Sequence, residues 1–351
     1  MKTDIAIVGG GLTGLALADH LTRAGCDWHL FEARSRLGGR IDVLCDGDAA
    51  FDLGPAWFWP GQHRMGVLAQ RLGAEVFEQH SSGAQMIERQ SGMIERHHGP
   101  SGMQGSLRIE GGMMTLVDKL QETLDPNRIH LASPVRMIGT ERLHLSDGQQ
   151  ISANRIVLAL PPRIAAGLTF APVLAPNILS AMRDVPTWMA GQAKVMATYD
   201  AAFWRDAGLS GDAFSQRGPL VEIHDASPKS GGPAALFGFV GVSCQGRQGR
   251  ADELIAASRA QLVRLFGPGA AEPRQIKLAD WAMISETATL QDHEPPMHHP
   301  AYGMPAVLRN LRKGALMLAG SEVAPEFGGF LEGALASAEA TALLLAGAKR
   351  Q

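Results

Sequence analysis

The chain has few cysteines, and it lacks both basic runs and long apolar segments. Cys26, Cys45 and Cys244 are odd in number and scattered over 351 residues, which excludes a disulfide framework and favours a reducing compartment. A net charge of −3 argues against a broad nucleic-acid surface. No window of about 20 apolar residues could span a bilayer, and a first strand near Asp4 leaves no room for a secretory signal. We therefore expect a cytoplasmic protein that binds neither nucleic acid nor membrane.

The histidines do not form a metal-binding pattern. His97 and His98 are adjacent, so on a regular element their side chains point in different directions. No cysteine or carboxylate joins them at a spacing typical of metal ligands. We therefore predict no metal site.

Residues 4–40 carry the strongest pattern in the chain. The apolar residues 5–8 run into the sequence Gly-Gly-Gly-Leu-Thr-Gly at residues 9–14. A helical apolar pattern follows over residues 15–24, and a second short apolar run ends at Glu32. This order of strand, glycine turn, helix, strand and acidic residue predicts a dinucleotide-binding βαβ unit.

The glycines and Glu32 have separate roles in such a unit. Gly9 permits the tight turn out of the strand, Gly11 lets a phosphate approach the backbone, and Gly14 lets the helix pack close to the sheet. The helix N-terminus offers free N–H groups and a partial positive charge to a pyrophosphate. Glu32, at the end of the second strand, is placed to accept hydrogen bonds from a ribose diol.

Two stretches after this unit contain further candidate contacts. The basic loop that follows places two glycines before Arg40, and Arg34 and Arg40 could reach ribose and pyrophosphate oxygens as fork donors. In residues 51–59, small residues precede three aromatic ones. Backbone there could meet a flat ring, and Trp57 or Trp59 could meet a ligand. A hydrophobic plug under a loop explains this second stretch equally well.

The end of the chain repeats the strand-to-helix pattern. Residues 314–322 predict a strand that runs into a small-residue turn, and residues 327–334 begin the last helix. A glycine-lined strand end before a helix N-terminus is a second natural contact for an anion or a flavin. We therefore expect the chain to return to its first domain at its end.

Taken together, these motifs resemble those of the flavin-containing amine oxidase family, the monoamine oxidase group. Lys194, followed nine residues later by Phe-Trp, is similar to the lysine strand of that family. The resemblance covers nearly the whole chain. The matching segments, in the order of the family, are residues 4–40, 52–54, 111–113, 134–135, 158–162, 194–204, 319–322 and 329–334.

The resemblance implies an α/β fold with two domains. The first is a Rossmann-like FAD-binding domain of the glutathione reductase type, which would comprise residues 1–57, 106–163 and 311–351. The second is an inserted substrate domain of mixed α+β structure, which would comprise residues 58–105 and 164–310.

The resemblance also implies FAD-dependent oxidation of an amine. In the family, the hydrogen on the amine's α-carbon passes to flavin N5 as a hydride equivalent, the imine leaves and hydrolyses, and dioxygen reoxidises the flavin to give hydrogen peroxide. Lys194 would hold a water near N5, and burial there should lower its pKa. Phe330, Trp281 and Trp57 complete the predicted catalytic group. The predicted FAD contacts are Gly9, Gly11, Leu12, Thr13, Gly14, Glu32, Ala33, Arg34, Gly38, Gly39, Arg40, Gly54, Pro55, Ala56, Trp57, Val135, Gly320, Ser321, Glu322, Gly329, Phe330 and Leu331.

The chain departs from the family pattern in three places. Residues 285–290, which follow Trp281, contain no cysteine, so FAD is expected to be non-covalent. Phe330 matches one aromatic wall of the family's amine cage, but Leu290 stands near the position of the other, so a full cation–π cage is not provided. The short interval between the aromatic stretch and the Gly-Gly-Met motif indicates a reduced substrate domain.

Two alternatives stay open at this stage. A renalase-like or desaturase-type flavoenzyme would share the opening and closing motifs, although Lys194 favours amine oxidation. A flavoprotein that retains its cofactor but serves as a binding or maturation partner is the other alternative, since a fold does not determine a function. For the leading function, the expected ligands are a small amine and dioxygen, and a homodimer is the candidate assembly.

Overall fold

The structure, a computed structural model, describes residues 1–347. The described residues form nineteen strands and nine helices. The strands are β1 (Lys2–Val8), β2 (Trp28–Phe31), β3 (Val43–Asp46), β4 (Ala49–Asp52), β5 (Val76–Glu78), β6 (Ala84–Glu88), β7 (Ile94–His97), β8 (Leu107–Ile109), β9 (Ile129–His130), β10 (Val135–Ile138), β11 (Arg142–Leu145), β12 (Gln150–Leu158), β13 (Thr169–Phe170), β14 (Ala193–Tyr199), β15 (Leu209–Ser215), β16 (Leu220–Asp225), β17 (Ala234–Val240), β18 (Gln275–Asp280) and β19 (Leu316–Leu318). The helices are α1 (Leu12–Arg23), α2 (His63–Arg71), α3 (Met114–Glu122), α4 (Pro162–Ala165), α5 (Pro176–Asp184), α6 (Phe203–Asp206), α7 (Cys244–Arg247), α8 (Ala251–Phe266) and α9 (Leu331–Gly347).

The first sheet contains the predicted dinucleotide-binding unit. Its strand order is β13-β10-β11-β12-β1-β2-β9, and β19 pairs with the C-terminal end of β12. The central strand β1 is parallel to β2 and to β12. Ile5 and Ile7 pack with residues of α1, α3 and α9, whereas Ala6 and Val8 pack in a core on the opposite face. Burial of both faces explains why β1 is a continuous apolar run rather than an alternating one.

The second sheet carries the predicted lysine strand. Its order is β18-β14-β17-β16-β15-β6-β7, antiparallel throughout except for the parallel pair β15 and β6. Val195 packs in one core with residues of α8, whereas Met196 packs in another with Phe51 and Leu53. Because side chains alternate along a strand, Lys194 lies on the same face as Met196. The fold therefore turns Lys194 toward the segment that follows β4.

Two elements within residues 164–310 adjoin the first sheet. β13 pairs with β10, and Met182 of α5 packs in the core of that sheet together with Leu308. The predicted division of the chain into an FAD-binding and a substrate domain stays a prediction. Among residues 1–347, no helix is long and apolar enough to cross a membrane.

Candidate active site

A cavity of about 760 Å³ is lined by residues of both sheets. The first sheet contributes the ends of β1 and β2 and the start of α1, and the second contributes residues of β14, β16 and β17. With one exception, Gly14, all the residues predicted as cofactor contacts or catalytic groups lie in its wall. Residues more than 300 positions apart in the chain thus meet in one space. That they bind a cofactor or a substrate stays a prediction.

The glycine turn has the close packing that its sequence predicts. Gly9 has φ +109, and a Cβ there would lie 2.5 Å from the carbonyl oxygen of Ala159. A Cβ on Gly14 would overlap the carbonyl oxygen of Gly9. Gly11, in contrast, has open space where a Cβ would stand. Gly14 therefore allows α1 to pack against the end of β1, which explains its absence from the cavity wall. Gly11 leaves room beside the N-terminus of α1.

Glu32 is held in position by the backbone. Its Oε2 accepts from the N–H of Gly10 at 2.6 Å and its Oε1 accepts from the N–H of Arg34 at 2.8 Å. The residue is 6% exposed and lines the cavity. Because each carboxylate oxygen has a second lone pair, Glu32 can still accept hydrogen bonds from a ligand.

Arg40 and Glu322 form an ion pair in the cavity wall. Arg40 Nη1 lies 2.7 Å from Glu322 Oε1, and the Glu322 side chain is fully buried. Burial alone lowers the pKa of Arg40, but the carboxylate of Glu322 more than reverses this effect and raises it. The ion pair engages Oε1, whereas Oε2 has no hydrogen-bond partner within the described residues. Since buried polar atoms are nearly always satisfied, Oε2 can accept a hydrogen bond from a ligand.

Lys194 is buried at the start of β14, where it is 3% exposed. Its Nζ donates to the carbonyl oxygens of Gly54 at 2.7 Å and Asp52 at 3.2 Å, and it lies 4.1 Å from the centroid of the Phe237 ring. Burial lowers the pKa of Lys194 to about 7, although the charge of Asp52 opposes the shift. An ammonium has three N–H donors, so one remains for a water or ligand in the cavity.

The turn at residues 52–54 is held from a second direction by Trp281. The indole Nε1 donates to the carbonyl oxygen of Leu53 at 3.0 Å. On the side chain of Asp52, Oδ1 accepts from the N–H of Met113 at 2.8 Å, and burial raises the pKa of that carboxyl to about 6. Trp281, predicted as a catalytic residue, thus lines the cavity with its polar atom already bonded to the protein.

Trp57 is both packed and accessible to a ligand. Its Nε1 donates to Gln79 Oε1 at 2.8 Å. The ring meets His224 edge-on at 5.1 Å and lies 5.2 Å from Phe237. Since Trp57 also lines the cavity, the two alternatives for the aromatic stretch, a plug under a loop and a ligand contact, are compatible.

Two family models match this chain, one at its start and one over most of its length. A family model described as "Flavin containing amine oxidoreductase" matches residues 88–345. The chain belongs to this family. A second model, described as an NAD(P)-binding Rossmann-like domain, matches residues 7–72. Together the matches confirm the predicted α/β fold, the flavin and the amine oxidoreductase function, and they do not favour the two alternatives.

Individual members of the family are similar to this chain over most of its length. It is 22% identical to the probable flavin-containing monoamine oxidase A of Dictyostelium discoideum, over 95% of each protein. It is 22% identical to the putrescine oxidase of Kocuria rosea, over 76% of this chain and 77% of that protein. The solved structure of cyclohexylamine oxidase from Brevibacterium oxydans matches with a TM-score of 0.84 at 19% identity, covering 99% of this chain and all of that one.

The two positions expected to carry the aromatic walls of an amine cage differ in this structure. Phe330 lines the cavity, and its ring stacks on His299 at 4.9 Å with an interplanar angle of 18°. Leu290 is 82% exposed and lies outside the cavity wall. The neighbouring segment contributes polar residues instead, among them Glu286 and Thr287. Position 290 therefore points away from the cavity, although the residues just before it line the wall.

Sequence reasoning missed several residues of the cavity wall. Glu222, Trp188 and Gln192 line the cavity, as do Phe239 and Arg163. None of them stands in a recognisable motif. The alternation along β16 places Glu222 on the same face as His224, but nothing in the sequence says which face meets the cavity. That information comes from strand pairing between distant segments.

Proposed function

We propose that this amine oxidoreductase is an FAD-dependent oxidase that binds FAD non-covalently, converts an amine to an imine and uses dioxygen as its acceptor. The observation that carries the proposal is the position of Lys194. This buried lysine lines the same cavity as Glu32 and the glycine turn at residues 9–14. A nucleotide and a reacting amine would therefore share one continuous space. A cytoplasmic location and a homodimeric assembly stay predictions.

The chemistry of the cavity wall fits FAD. The N-terminus of α1 would hold the pyrophosphate, and Glu32 would hold the adenosine ribose. Val135, at the start of β10, would lie against the adenine. The carboxylate of Glu322, whose Oε2 has no partner within the described residues, matches the hydroxyl groups of a ribityl chain, which are hydrogen-bond donors. A dinucleotide that carries such a chain would supply the partner that this buried atom lacks.

The residues present also support a non-covalent cofactor. Among residues 1–347, the wall of the cavity contains no cysteine, histidine or tyrosine. Side chains of these types are the nucleophiles that would attach to a flavin ring. The three cysteines, Cys26, Cys45 and Cys244, lie elsewhere.

Lys194 is the main residue that the protein itself contributes to the reaction. FAD would supply the acceptor for a hydride equivalent from the α-carbon of the amine, and dioxygen would take up the two electrons as hydrogen peroxide. Lys194 would offer its remaining N–H to a water in the cavity. Its positive charge would stabilise negative charge as it develops on the electron acceptor. The carboxylates of Glu222 and Glu286 also line the cavity, which favours entry of a cationic amine.

Two measurements test this proposal. The absorption spectrum of the purified protein should show a flavin, and acid precipitation should release it as FAD into the supernatant. Hydrogen peroxide should then form with at least one aliphatic or aromatic amine. Bleaching of the flavin by a reduced nicotinamide, with no turnover of any amine, would contradict the proposed function.

Glu32→Ala should weaken FAD binding by about 10- to 100-fold. Hydrogen bonds to a charged group contribute about 1.5–3 kcal/mol, and each 1.4 kcal/mol is a factor of ten in affinity. The readouts are the flavin retained after gel filtration and the Kd from titration of the apoprotein with FAD. Glu122→Ala, at the exposed end of α3, is the matched control and should bind FAD normally. A fully yellow Glu32→Ala protein with an unchanged Kd would remove Glu32 from the binding site.

A further inference from the structure

The second sheet places three side chains in one row along the wall of the cavity. Lys194 on β14 is paired with Phe239 on β17, and Phe239 is paired with Glu222 on β16. Directly opposed residues on neighbouring strands have their side chains on the same face, and all three line the cavity. Since neighbouring strands lie about 4.8 Å apart, the Cα atoms of Lys194 and Glu222 are separated by about 10 Å. An apolar ring thus lies between a lysine and a carboxylate.

The carboxylate of Glu222 is fixed by a buried pair behind it. Its Oε1 lies 2.8 Å from His224 Nε2, and His224 Nδ1 lies 2.8 Å from Asp212 Oδ1. His224 and Asp212 are almost completely buried, whereas the Glu222 side chain is 37% exposed. Burial alone would lower the pKa of His224, but its hydrogen bonds to the two carboxylates raise it overall. With His224 neutral or as an imidazolium, the three groups keep at least one negative charge, and Glu222 is the member that reaches the cavity.

No arginine or lysine neutralises this carboxylate within the described part of the chain. Two arginines of the cavity wall are paired with other acids. Arg40 pairs with Glu322 and Arg163 pairs with Asp292, each at 2.7 Å. A positioned carboxylate in a largely apolar cavity is a binding site for a cation, because a charge-assisted hydrogen bond there compensates for desolvation.

We propose that Glu222 binds a second, protonated amino group of the substrate, so that the enzyme prefers aliphatic diamines to monoamines. The inference rests on the proposed function, because it takes the reacting amino group to lie at the Lys194 end of the row. A methylene chain would then cross Phe239 and carry its distal ammonium to Glu222. His224 and Asp212 are positioning residues in this arrangement: they orient the carboxylate and do not contact the substrate.

The test compares amines of equal length with and without the second charge. Holoenzyme turnover is measured with diaminobutane and diaminopentane, and with butylamine and pentylamine. Glu222→Gln retains a hydrogen-bond acceptor for His224 but removes the charge. It should raise KM for the diamines about 10- to 100-fold, with little change in kcat, and leave KM for the monoamines nearly unchanged. Glu95→Gln is the matched control and should leave all constants unchanged, because Glu95 lies on β7 in an exposed ion pair with Arg89.

A second variant moves the carboxylate instead of removing it. Glu222→Asp withdraws the charge by one methylene group, so the preference should shift from diaminobutane toward diaminopentane. Binding is also measured by calorimetry on dithionite-reduced holoenzyme, in which no turnover takes place. Wild-type protein should bind diamines more tightly than monoamines, and Glu222→Gln should lose the difference.

The outcomes separate this inference from the function on which it rests. Equal binding of diamines and monoamines by the wild-type protein would overturn the inference, as would an equal loss for both classes in Glu222→Gln. If diamines bind selectively through Glu222 but no amine is oxidised, the binding role of Glu222 is supported and the proposed oxidase function is contradicted.

Discussion

Lys194→Met is expected to leave the flavin bound while slowing its reduction or its reoxidation about 100-fold or more. The methionine occupies a similar volume in the buried wall of the cavity but has no charge and no N–H donor. Loss of one preorganised donor at a reacting centre typically costs about 100- to 1,000-fold in rate. Rapid-mixing absorbance gives both half-reactions: anaerobic reduction by an amine, and reoxidation after mixing with dioxygen.

The neighbouring strand provides a matched control for this variant. Lys277 lies on β18, where it is paired with Met196 of β14, and its side chain is exposed. Lys277→Met should therefore leave both half-reactions at wild-type rates. Unchanged rates in Lys194→Met itself would remove Lys194 from the mechanism.

Lys194 should also give reoxidation a pH dependence. With a pKa of about 7, the side chain is mainly an ammonium below pH 7 and mainly an amine above it. If the positive charge assists electron transfer to dioxygen, the reoxidation rate should fall as the pH rises through about 7. Ionisation of the amine substrate does not enter this half-reaction. Lys194→Met should lose this decrease in rate, although the pKa of Asp52, which the charge of Lys194 lowers, should rise in the variant.

The cofactor side of the site could be predicted from the sequence because its determinants are local. The glycine turn and Glu32 belong to one strand-turn-helix-strand unit, and each residue type is required by backbone geometry or by the ligand. Gly14 illustrates this point: its role in packing the helix against the strand follows from the motif, and the overlap of a Cβ with the carbonyl of Gly9 gives the physical reason.

The substrate side depends on strand pairing that the sequence does not reveal. Lys194 was identified by family resemblance alone, since a single lysine on a strand is usually exposed. In the structure every residue of β14 is buried, because the strand is covered on both faces. Glu222 is a glutamate on a strand in which apolar and polar residues alternate, and many glutamates in such strands lie on the surface. Its pairing with Phe239, and hence its place beside the cavity, arises from contacts between segments far apart in the chain.

Strand β15 shows a second limit of sequence reasoning. Residues 209–215 do not show a strand pattern in the sequence, because polar residues and Gly211 interrupt the apolar ones. Tertiary contacts decide the outcome here. β15 pairs with β16 and β6, and its Asp212 meets His224 in the interior. Asp212, one of the polar residues that weaken the strand pattern, thus holds the histidine that positions Glu222.

Arg40→Met is expected to destabilise the apoprotein by about 3–5 kcal/mol, the usual cost of leaving one member of a buried ion pair without its partner. Glu322 is fully buried and has Arg40 as its ion-pair partner. Removal of the guanidinium leaves a carboxylate with no compensating charge in the cavity wall. Urea unfolding of the apoprotein measures this loss. Arg89→Met, which breaks an exposed pair with Glu95, is the control and should change the free energy of unfolding by less than about 1 kcal/mol.

The double variant Arg40→Met/Glu322→Gln separates the structural role of the pair from its role in binding. Replacing both members removes the unpaired charge, so most of the lost stability should return. FAD affinity should nevertheless stay low, because the double variant still lacks the carboxylate oxygens that are free to accept hydrogen bonds from the ribityl hydroxyls. Titration of the refolded apoprotein with FAD measures this affinity. Recovery of both stability and affinity would mean that Arg40 and Glu322 support the fold alone. Recovery of stability without affinity would place at least one member of the pair in contact with the cofactor.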